Sequence, residues 1–265
     1  MDREKTSAEV HELRRLSDLI TVTETDSGIK GIIFDYGGTL DSRGEHWSEV
    51  ILRGYRHAGF SDLTREDFRR AYVEAERYLA VNLVIKPEFN FLDLMRAKIR
   101  LELGFLGYNP SDTERLAEPI ARYCYDSARV CTAEALPVLR SLKQHYPMAL
   151  CSNFYGNLHA VIADFGLAEQ FDTVVESAVV GIRKPDSAIF ALAAQRLGLD
   201  PVDTAVIGDS FGKDIIPAAS LGASTLWLRG AGWDPAAAEA ELKSAQSLCP
   251  RPVIISDIAE AVQHY

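Results

Sequence analysis

The chain has 265 residues, of which 47% are hydrophobic and 25% are charged, and this is the composition of a globular protein with a full core. A net charge of −10 and an isoelectric point near 5.1 argue against nucleic acid or an anionic membrane as the main partner. The four cysteines form no C-x-x-C pair, and neither a signal peptide nor a spanning apolar run is evident. We therefore expect a cytoplasmic protein with free thiols.

Residues 1–30 form an extension before the first predicted strand. Val10, Leu13, Leu16 and Ile20 recur there at helical spacing, which predicts a short amphipathic helix.

An apolar strand running directly into an acidic residue follows this extension. Ile32, Ile33 and Phe34 precede Asp35, and two glycines come shortly after it. A carboxylate at the carboxyl end of a buried strand lies where open α/β sheets bind their ligands. The segment therefore predicts a functional site.

The next stretch, residues 45–129, is helical in pattern and contains no predicted strand. We expect four helices in it, at about 45–58, 64–82, 90–104 and 111–129. Pro119 is expected to kink or interrupt the last of them. The stretch is interpreted as a helical cap domain inserted after the first strand.

Strands and helices alternate through the remainder of the chain. Apolar runs lie near residues 147–151, 172–175, 204–208, 224–228 and 252–255. Short apolar runs without polar alternation favour a parallel sheet that is covered on both faces. The predicted fold is therefore α/β, with a Rossmann-like core of residues 31–44 and 130–265, helices on both faces of its parallel sheet, and the cap.

Four short motifs stand at the ends of these strands or at the starts of helices. In chain order they are Asp35-Tyr36-Gly37-Gly38-Thr39-Leu40, then Ser152, then Lys184-Pro185, then the acidic pair Asp209 and Asp214. Together, in this order, they resemble the motifs of the haloacid dehalogenase superfamily. That family also places a cap insertion after its first motif.

The resemblance implies roles for several residues. Asp35 is expected to be a nucleophile that attacks phosphorus and forms an aspartyl-phosphate. Ser152 and Lys184 are expected to hold the transferring phosphoryl group. Further donors to the phosphate are expected from Gly38, Thr39 and Asn153.

The resemblance also implies a magnesium ion and a small phosphorylated metabolite as substrate. Asp35 and Asp209 are expected to bind Mg²⁺ directly, with the backbone carbonyl of Gly37 as a third ligand and Asp214 in support. Oxygen ligands of this kind suit Mg²⁺.

One position departs from the family's phosphatase pattern, because Gly37 stands where an aspartate is expected. That aspartate serves as a general acid and base, a role worth about 10²–10⁴-fold in rate. Three explanations remain open: the enzyme is a phosphatase that uses another acid or favours leaving groups that need none, the chemistry differs, or the protein binds phosphate ligands without turnover. Asp41, Glu45 and His46 follow the first motif closely and are candidates near the site, although a histidine beside Trp47 at a helix start is more often structural.

Two other activities within the superfamily are weighed as less favoured. Dehalogenases work without a metal, so the presence of Asp209 and Asp214 counts against this activity. The tyrosine of dehalogenases lies two residues after the nucleophile, whereas Tyr36 lies one residue after Asp35. Phosphonatases use a cap lysine that forms a Schiff base, and in this chain Lys86 or Lys98 would have to be that lysine.

Overall fold

The computed structural model describes residues 28–230 and 235–265. The helix predicted between Val10 and Ile20 lies outside the described residues. Within the described part, no helix is both long and apolar enough to cross a membrane.

The core is a six-stranded parallel sheet in the order β3-β2-β1-β4-β5-β6. Its strands are β1 Gly31–Phe34, β2 Met148–Ser152, β3 Thr173–Glu176, β4 Thr204–Gly208, β5 Ser224–Leu228 and β6 Val253–Ile255. The predicted fold class is confirmed, and each strand lies at its predicted place. All four residues of β1 are buried, because helices cover both faces of a parallel sheet.

Four helices separate β1 from β2. They are α1 Trp47–His57, α2 Arg65–Val81, α3 Phe91–Phe105 and α4 Pro110–Lys143. Side chains cap their amino ends; the Thr64 hydroxyl, for example, accepts a hydrogen bond from the backbone of Asp67.

The remaining helices connect the later strands. They are α5 Leu158–Asp164, α6 Ser177–Val180, α7 Ala188–Arg196, α8 Ile216–Ser220, α9 Pro235–Ala245 and α10 Ala261–His264. Short 3₁₀ helices occur at Ala168–Gln170, Pro201–Asp203 and Ile258–Glu260, and a short π-helix occurs at Phe211–Ile215.

Helix α4 is longer than predicted, with 34 residues. The expectation that Pro119 would interrupt it is wrong, since the helix continues through both Pro119 and Pro137. An internal proline costs about 3 kcal/mol, and burial of one face of α4, including Ile120, Ala121 and Cys124, offsets that cost. The helix crosses residue 129, so the proposed cap and core share it.

The sheet order fixes the position of the candidate site. β1 lies between β2 and β4, and Phe34 pairs with both Leu150 and Ile207. The chain winds from β1 toward β3 and then returns across β1 to β4, so the order reverses at β1. A crevice at the carboxyl ends of strands forms at such a point.

Candidate active site

Asp35 is the first residue after β1 and lies on the floor of this crevice. Its side chain is buried and accepts hydrogen bonds at Oδ1 from the Ser152 hydroxyl, at 3.0 Å, and from the Lys184 ammonium, at 2.7 Å. Oδ2 receives a longer hydrogen bond, 3.4 Å, from the Thr39 hydroxyl. The side chain is therefore held from three sides.

The Lys184 ammonium joins two carboxylates in the crevice. Besides Asp35 it contacts Oδ1 of Asp214 at 2.6 Å, and only 2% of its side chain is exposed. Burial acts to lower the pKa of Lys184, but Asp214 and Asp35 outweigh it and raise the pKa well above its ordinary value. Lys184 is therefore a fixed positive charge.

Asp35, Asp209 and Asp214 bring one carboxylate oxygen each to within 4.8 Å of one another. Burial and the charges of Asp35 and Asp214 raise the pKa of Asp209 well above its ordinary value. Burial also raises the pKa of Asp214 to about 6, although Lys184 opposes this shift. Three acids around one lysine leave an excess of negative charge.

Glycine allows these acids to approach each other. Gly38 has φ of +97°, and a Cβ on it would collide with the carboxylate of Asp209. A Cβ on Gly208 would likewise collide with the side chain of Asp214. Gly37 differs, because nothing lies within 4 Å of where its Cβ would be.

Asn153 fixes the loop that carries Lys184. Its Oδ1 accepts a hydrogen bond from the backbone N–H of Lys184 at 2.9 Å, and its Nδ2 donates to the carbonyl of Lys184 at 3.1 Å. The side-chain amide is thus engaged with the backbone, although Asn153 also lines the cavity above the site. Its position suits a residue that orients Lys184.

A cavity of about 180 Å³ lies between the carboxyl edge of the sheet and the helices α2 and α3. Gly37, Gly38 and Asp209 line its floor, and Tyr72, Glu76 and Lys98 line its opposite wall. A larger depression of about 710 Å³ lies on the outer side of α1 and α2, away from these acids. The smaller cavity is the one adjoining the site.

The three candidates for the missing acid lie in different surroundings. Asp41 and His46 line the cavity, whereas Glu45 forms a salt bridge with Arg53. Asp41 is buried and accepts a hydrogen bond from the backbone of Gly38 at 2.7 Å. Burial raises the pKa of Asp41 to about 7 and, with the charges of Lys213 and Lys98, lowers that of His46 to about 4.

A polar cluster on the cap wall was not predicted from the sequence. Glu76 pairs with the buried ammonium of Lys98, and both of its oxygens lie 3.0 Å from the Tyr155 hydroxyl. The Lys98 ammonium lies 4.5 Å from the ring centre of Tyr72. Glu76 and Lys98 lie on α2 and α3, 22 residues apart, so no local pattern indicates the pair.

The donor set suits a divalent cation. The three carboxylates supply hard oxygen ligands, and the charge that they carry exceeds what Lys184 neutralises. Such an arrangement can hold a metal ion and can provide the buried carboxylate of Asp35 as a nucleophile.

Comparison with known proteins places the chain among hydrolases. A family model described as haloacid dehalogenase-like hydrolase matches residues 29–222. The (S)-2-haloacid dehalogenase of Xanthobacter autotrophicus is 26% identical over 74% of this chain and 73% of that protein. The phosphoserine phosphatase of Thermus thermophilus is 30% identical over 46% of this chain and 49% of that protein.

Other matches are shorter or concern the fold alone. The mouse haloacid dehalogenase-like hydrolase domain-containing protein 3 is 35% identical over 33% of this chain, and the match spans about a third of its length (35%). The structure of 2-haloacid dehalogenase from Pseudomonas syringae pv. Tomato DC3000 superposes with a TM-score of 0.52 at 20% identity, covering 89% of this chain and 97% of that one. The magnesium-bound structure of the putative HAD-hydrolase YfnB from Bacillus subtilis superposes with a TM-score of 0.50 at 20% identity, covering 75% of this chain and 88% of that one.

Proposed function

The chain belongs to the haloacid dehalogenase-like hydrolases, and within this family we propose that it is a Mg²⁺-dependent phosphatase acting on a small phosphorylated metabolite. The observation that carries the proposal is the cluster of Asp35, Asp209 and Asp214 around the buried ammonium of Lys184. An arrangement of three acids and one lysine suits a bound cation together with a carboxylate nucleophile.

Asp35 is the proposed nucleophile. A carboxylate oxygen of Asp35 attacks phosphorus, the bond between phosphorus and the ester oxygen breaks, and the leaving oxygen takes up a proton from a nearby acid or from solvent and departs as the alcohol. Water then attacks the phosphorus of the aspartyl-phosphate, which releases inorganic phosphate and restores the carboxylate. The hydrogen bonds from Ser152 and Lys184 support this role because they hold Asp35 in one orientation.

Asp35, Asp209 and the backbone carbonyl of Gly37 are the proposed Mg²⁺ ligands, with Asp214 in support. Bound there, the ion would reduce the repulsion between a phosphate dianion and the carboxylates. Asp214 also accepts a hydrogen bond from the backbone of Ser210 at 3.0 Å, so its orientation is fixed from two sides.

Ser152 and Lys184 are the proposed ligands of the phosphoryl group. Phosphoryl transfer depends mainly on positioning and on neutralising the charge of the oxygens, and a hydroxyl and an ammonium supply both. Gly38 and Thr39 are proposed as further donors, and Asn153 as the residue that orients Lys184.

The size of the cavity supports a small substrate. At about 180 Å³ it is smaller than the roughly 300–1,000 Å³ of pockets that take drug-sized ligands. A phosphate group with a short carbon chain fits this volume.

Dehalogenation is the second candidate, because the Xanthobacter relative covers most of this chain. Two observations favour the phosphatase instead. Asp209 and Asp214 complete an acidic cluster that a metal-free displacement does not need. Tyr36 is fully buried and packs against Phe154, with ring centres 5.6 Å apart, so it does not reach the cavity.

A phosphonatase mechanism has little support. Lys98 lines the cavity, but a Schiff base needs a neutral amine. Burial acts to lower the pKa of Lys98, yet Glu76 outweighs it, and the pKa is raised well above its ordinary value. Lys86 is exposed and lies outside the cavity lining.

The experiment that tests this function is a screen for phosphate release over phosphorylated metabolites with Mg²⁺ present. The expected result is release from at least one small ester and loss of that release in Asp35→Asn. If no compound is hydrolysed although phosphate analogues bind with Mg²⁺, the protein is a phosphate-binding relative without turnover.

A further inference from the structure

The rim of the cavity carries two cations that the chemistry at Asp35 does not use. Resting on the phosphatase activity proposed above, we propose that Arg183 and Lys213 form a second anion-binding subsite, which selects phosphomonoesters whose alcohol part carries a carboxylate or a second phosphate.

Both residues line the cavity and are exposed. Arg183 directly precedes Lys184, in the loop that Asn153 fixes through two hydrogen bonds. Lys213 directly precedes Asp214, and its backbone N–H donates to the Ser210 hydroxyl at 3.3 Å. Each cation therefore extends from a backbone segment that is anchored beside the proposed phosphate site.

Neither cation has an acidic partner within salt-bridge distance among the described residues. This is unusual for a chain with a net charge of −10, in which most cap arginines, such as Arg65 with Glu49 and Arg96 with Glu118, do pair. Two unpaired cations at the mouth of one cavity are suited to a ligand that brings its own negative charge.

Away from the acids of the cavity floor, which face the proposed metal site, the charges of the cap wall and the rim lead to the same conclusion. On the cap wall, Glu76 and Lys98 neutralise each other: burial acts to raise the pKa of Glu76, but Lys98 outweighs it and the pKa is lowered. His46 is neutral near pH 7. The rim is therefore left with the two positive charges of Arg183 and Lys213.

Lys213 lines the cavity from the core side, close enough to the cap for its charge to act there. Its charge contributes to lowering the pKa of both His46 and Glu76, which lie on the cap side of the cavity. An anionic group on the far end of the substrate would therefore meet Lys213 between the core and the cap. A single exposed ion pair contributes little to binding, so we expect the two cations together to favour a ligand with a second anion by about tenfold.

The subsite is tested by binding of four phosphonates that cannot be hydrolysed, measured by titration calorimetry with Mg²⁺. The compounds differ only at the far end: butylphosphonate, 4-phosphonobutanoate, butane-1,4-bisphosphonate and 4-aminobutylphosphonate. We expect the two compounds with a second anion to bind about tenfold more tightly than butylphosphonate, and the amine to bind most weakly. Comparison of the carboxylate with the bisphosphonate distinguishes the two possible anions.

Variants test whether Arg183 and Lys213 cause this binding preference. In the double variant Arg183→Gln with Lys213→Gln, the tenfold ratio should fall to within about twofold. Arg140→Gln is the matched control, because Arg140 is an exposed arginine of α4 outside the cavity, and there the ratio should persist. In the native protein, high salt should also reduce the ratio, since exposed charges are screened.

Hydrolysis of the corresponding phosphate esters separates this proposal from the proposed function. Phosphate release with equal binding of all four phosphonates, or tightest binding of the amine, would overturn the subsite and leave the phosphatase standing. Selective binding without release from any ester would leave the subsite and overturn the phosphatase activity. Failure of all four compounds to bind would contradict both.

Discussion

The ammonium of Lys184 lies 2.7 Å from Oδ1 of Asp35, although 149 residues separate the two in the chain. The same ammonium contacts Asp214 at 2.6 Å, so one buried cation serves two carboxylates. Removing it would leave both acids buried without a positively charged partner, which costs about 3–5 kcal/mol. The arrangement is therefore stable only with Lys184 charged.

The affinity for Mg²⁺ should depend on pH. Burial and neighbouring acids raise the pKa of Asp214 to about 6 and raise the pKa of Asp209 well above its ordinary value. Metal ligands must be deprotonated, so binding releases protons and the dissociation constant should fall as the pH rises through 6 and above. Calorimetry in buffers of different ionisation enthalpy measures the protons released. An affinity that stays constant from pH 5.5 to 8.5 would contradict this assignment.

Much of the fold and the site could be predicted because their signals are local. Asp35 and Ser152 each stand at the end of an apolar strand, and parallel strands bring such ends to one edge of the sheet. The cap cluster could not be predicted in the same way. Glu76 and Lys98 meet only because α2 and α3 pack together, and the distance between them in sequence carries no information.

The continuation of α4 through Pro119 is the opposite case. The local sequence predicts an interruption, because an internal proline disfavours a helix, but the packing of the buried face outweighs that preference. Arg183 is a related case. It is exposed and it also lines the cavity, and nothing in the neighbouring sequence distinguishes a cavity-lining arginine from one on the open surface.

Gly37→Asp should weaken the dependence of rate on the leaving group. Without an acid at residue 37, expelling an alkoxide of high pKa is harder than expelling an aryl oxide. An added side chain meets nothing within 4 Å of its Cβ, so the carboxylate has space. Rates for a series of aryl and alkyl phosphates should therefore show a shallower slope against leaving-group pKa. Gly38→Ala is the contrasting variant, because its Cβ would strike Asp209, and it should lose activity on all esters.

Asp41 is expected to supply part of the missing proton transfer. It is buried beside Gly38 with a pKa of about 7, raised by burial, whereas His46 is already deprotonated near neutral pH. Asp41→Asn keeps an acceptor for the backbone of Gly38 but cannot give up a proton. We expect it to slow alkyl phosphates by about 10- to 100-fold while aryl phosphates change little. Equal losses on both classes would assign Asp41 a structural role.

Glu102→Gln should change how stability depends on pH. Glu102 is fully buried in α3, and burial raises its pKa from 4.5 to about 7, opposed by Lys98. The folded state therefore binds this proton more tightly, and the stability present below pH 4.5 is lost as the pH rises through 7. Between pH 4.5 and 8 the titration of Glu102 should lower the free energy of unfolding by an amount on the order of 3 kcal/mol, and the total loss in the variant should be smaller than the native one by that amount.

Urea unfolding at the two pH values measures this difference. Glu169→Gln, a change at an exposed acid, is the control and should keep the native pH dependence. A Glu102→Gln protein with the same loss between pH 4.5 and 8 as the native one would show that Glu102 does not titrate in this range.

Phosphate and halide release, measured side by side, test most directly whether the protein is a Mg²⁺-dependent phosphatase with Asp35 as its nucleophile. Metal-depleted protein is incubated with p-nitrophenyl phosphate or with 2-chloropropanoate, before and after addition of Mg²⁺, together with Asp35→Asn and the exposed-site control Asp200→Asn. We expect phosphate release that requires Mg²⁺, is abolished in Asp35→Asn, and is retained in Asp200→Asn, with no chloride released. Chloride release that proceeds with excess chelator, without phosphate release under any condition, would contradict it.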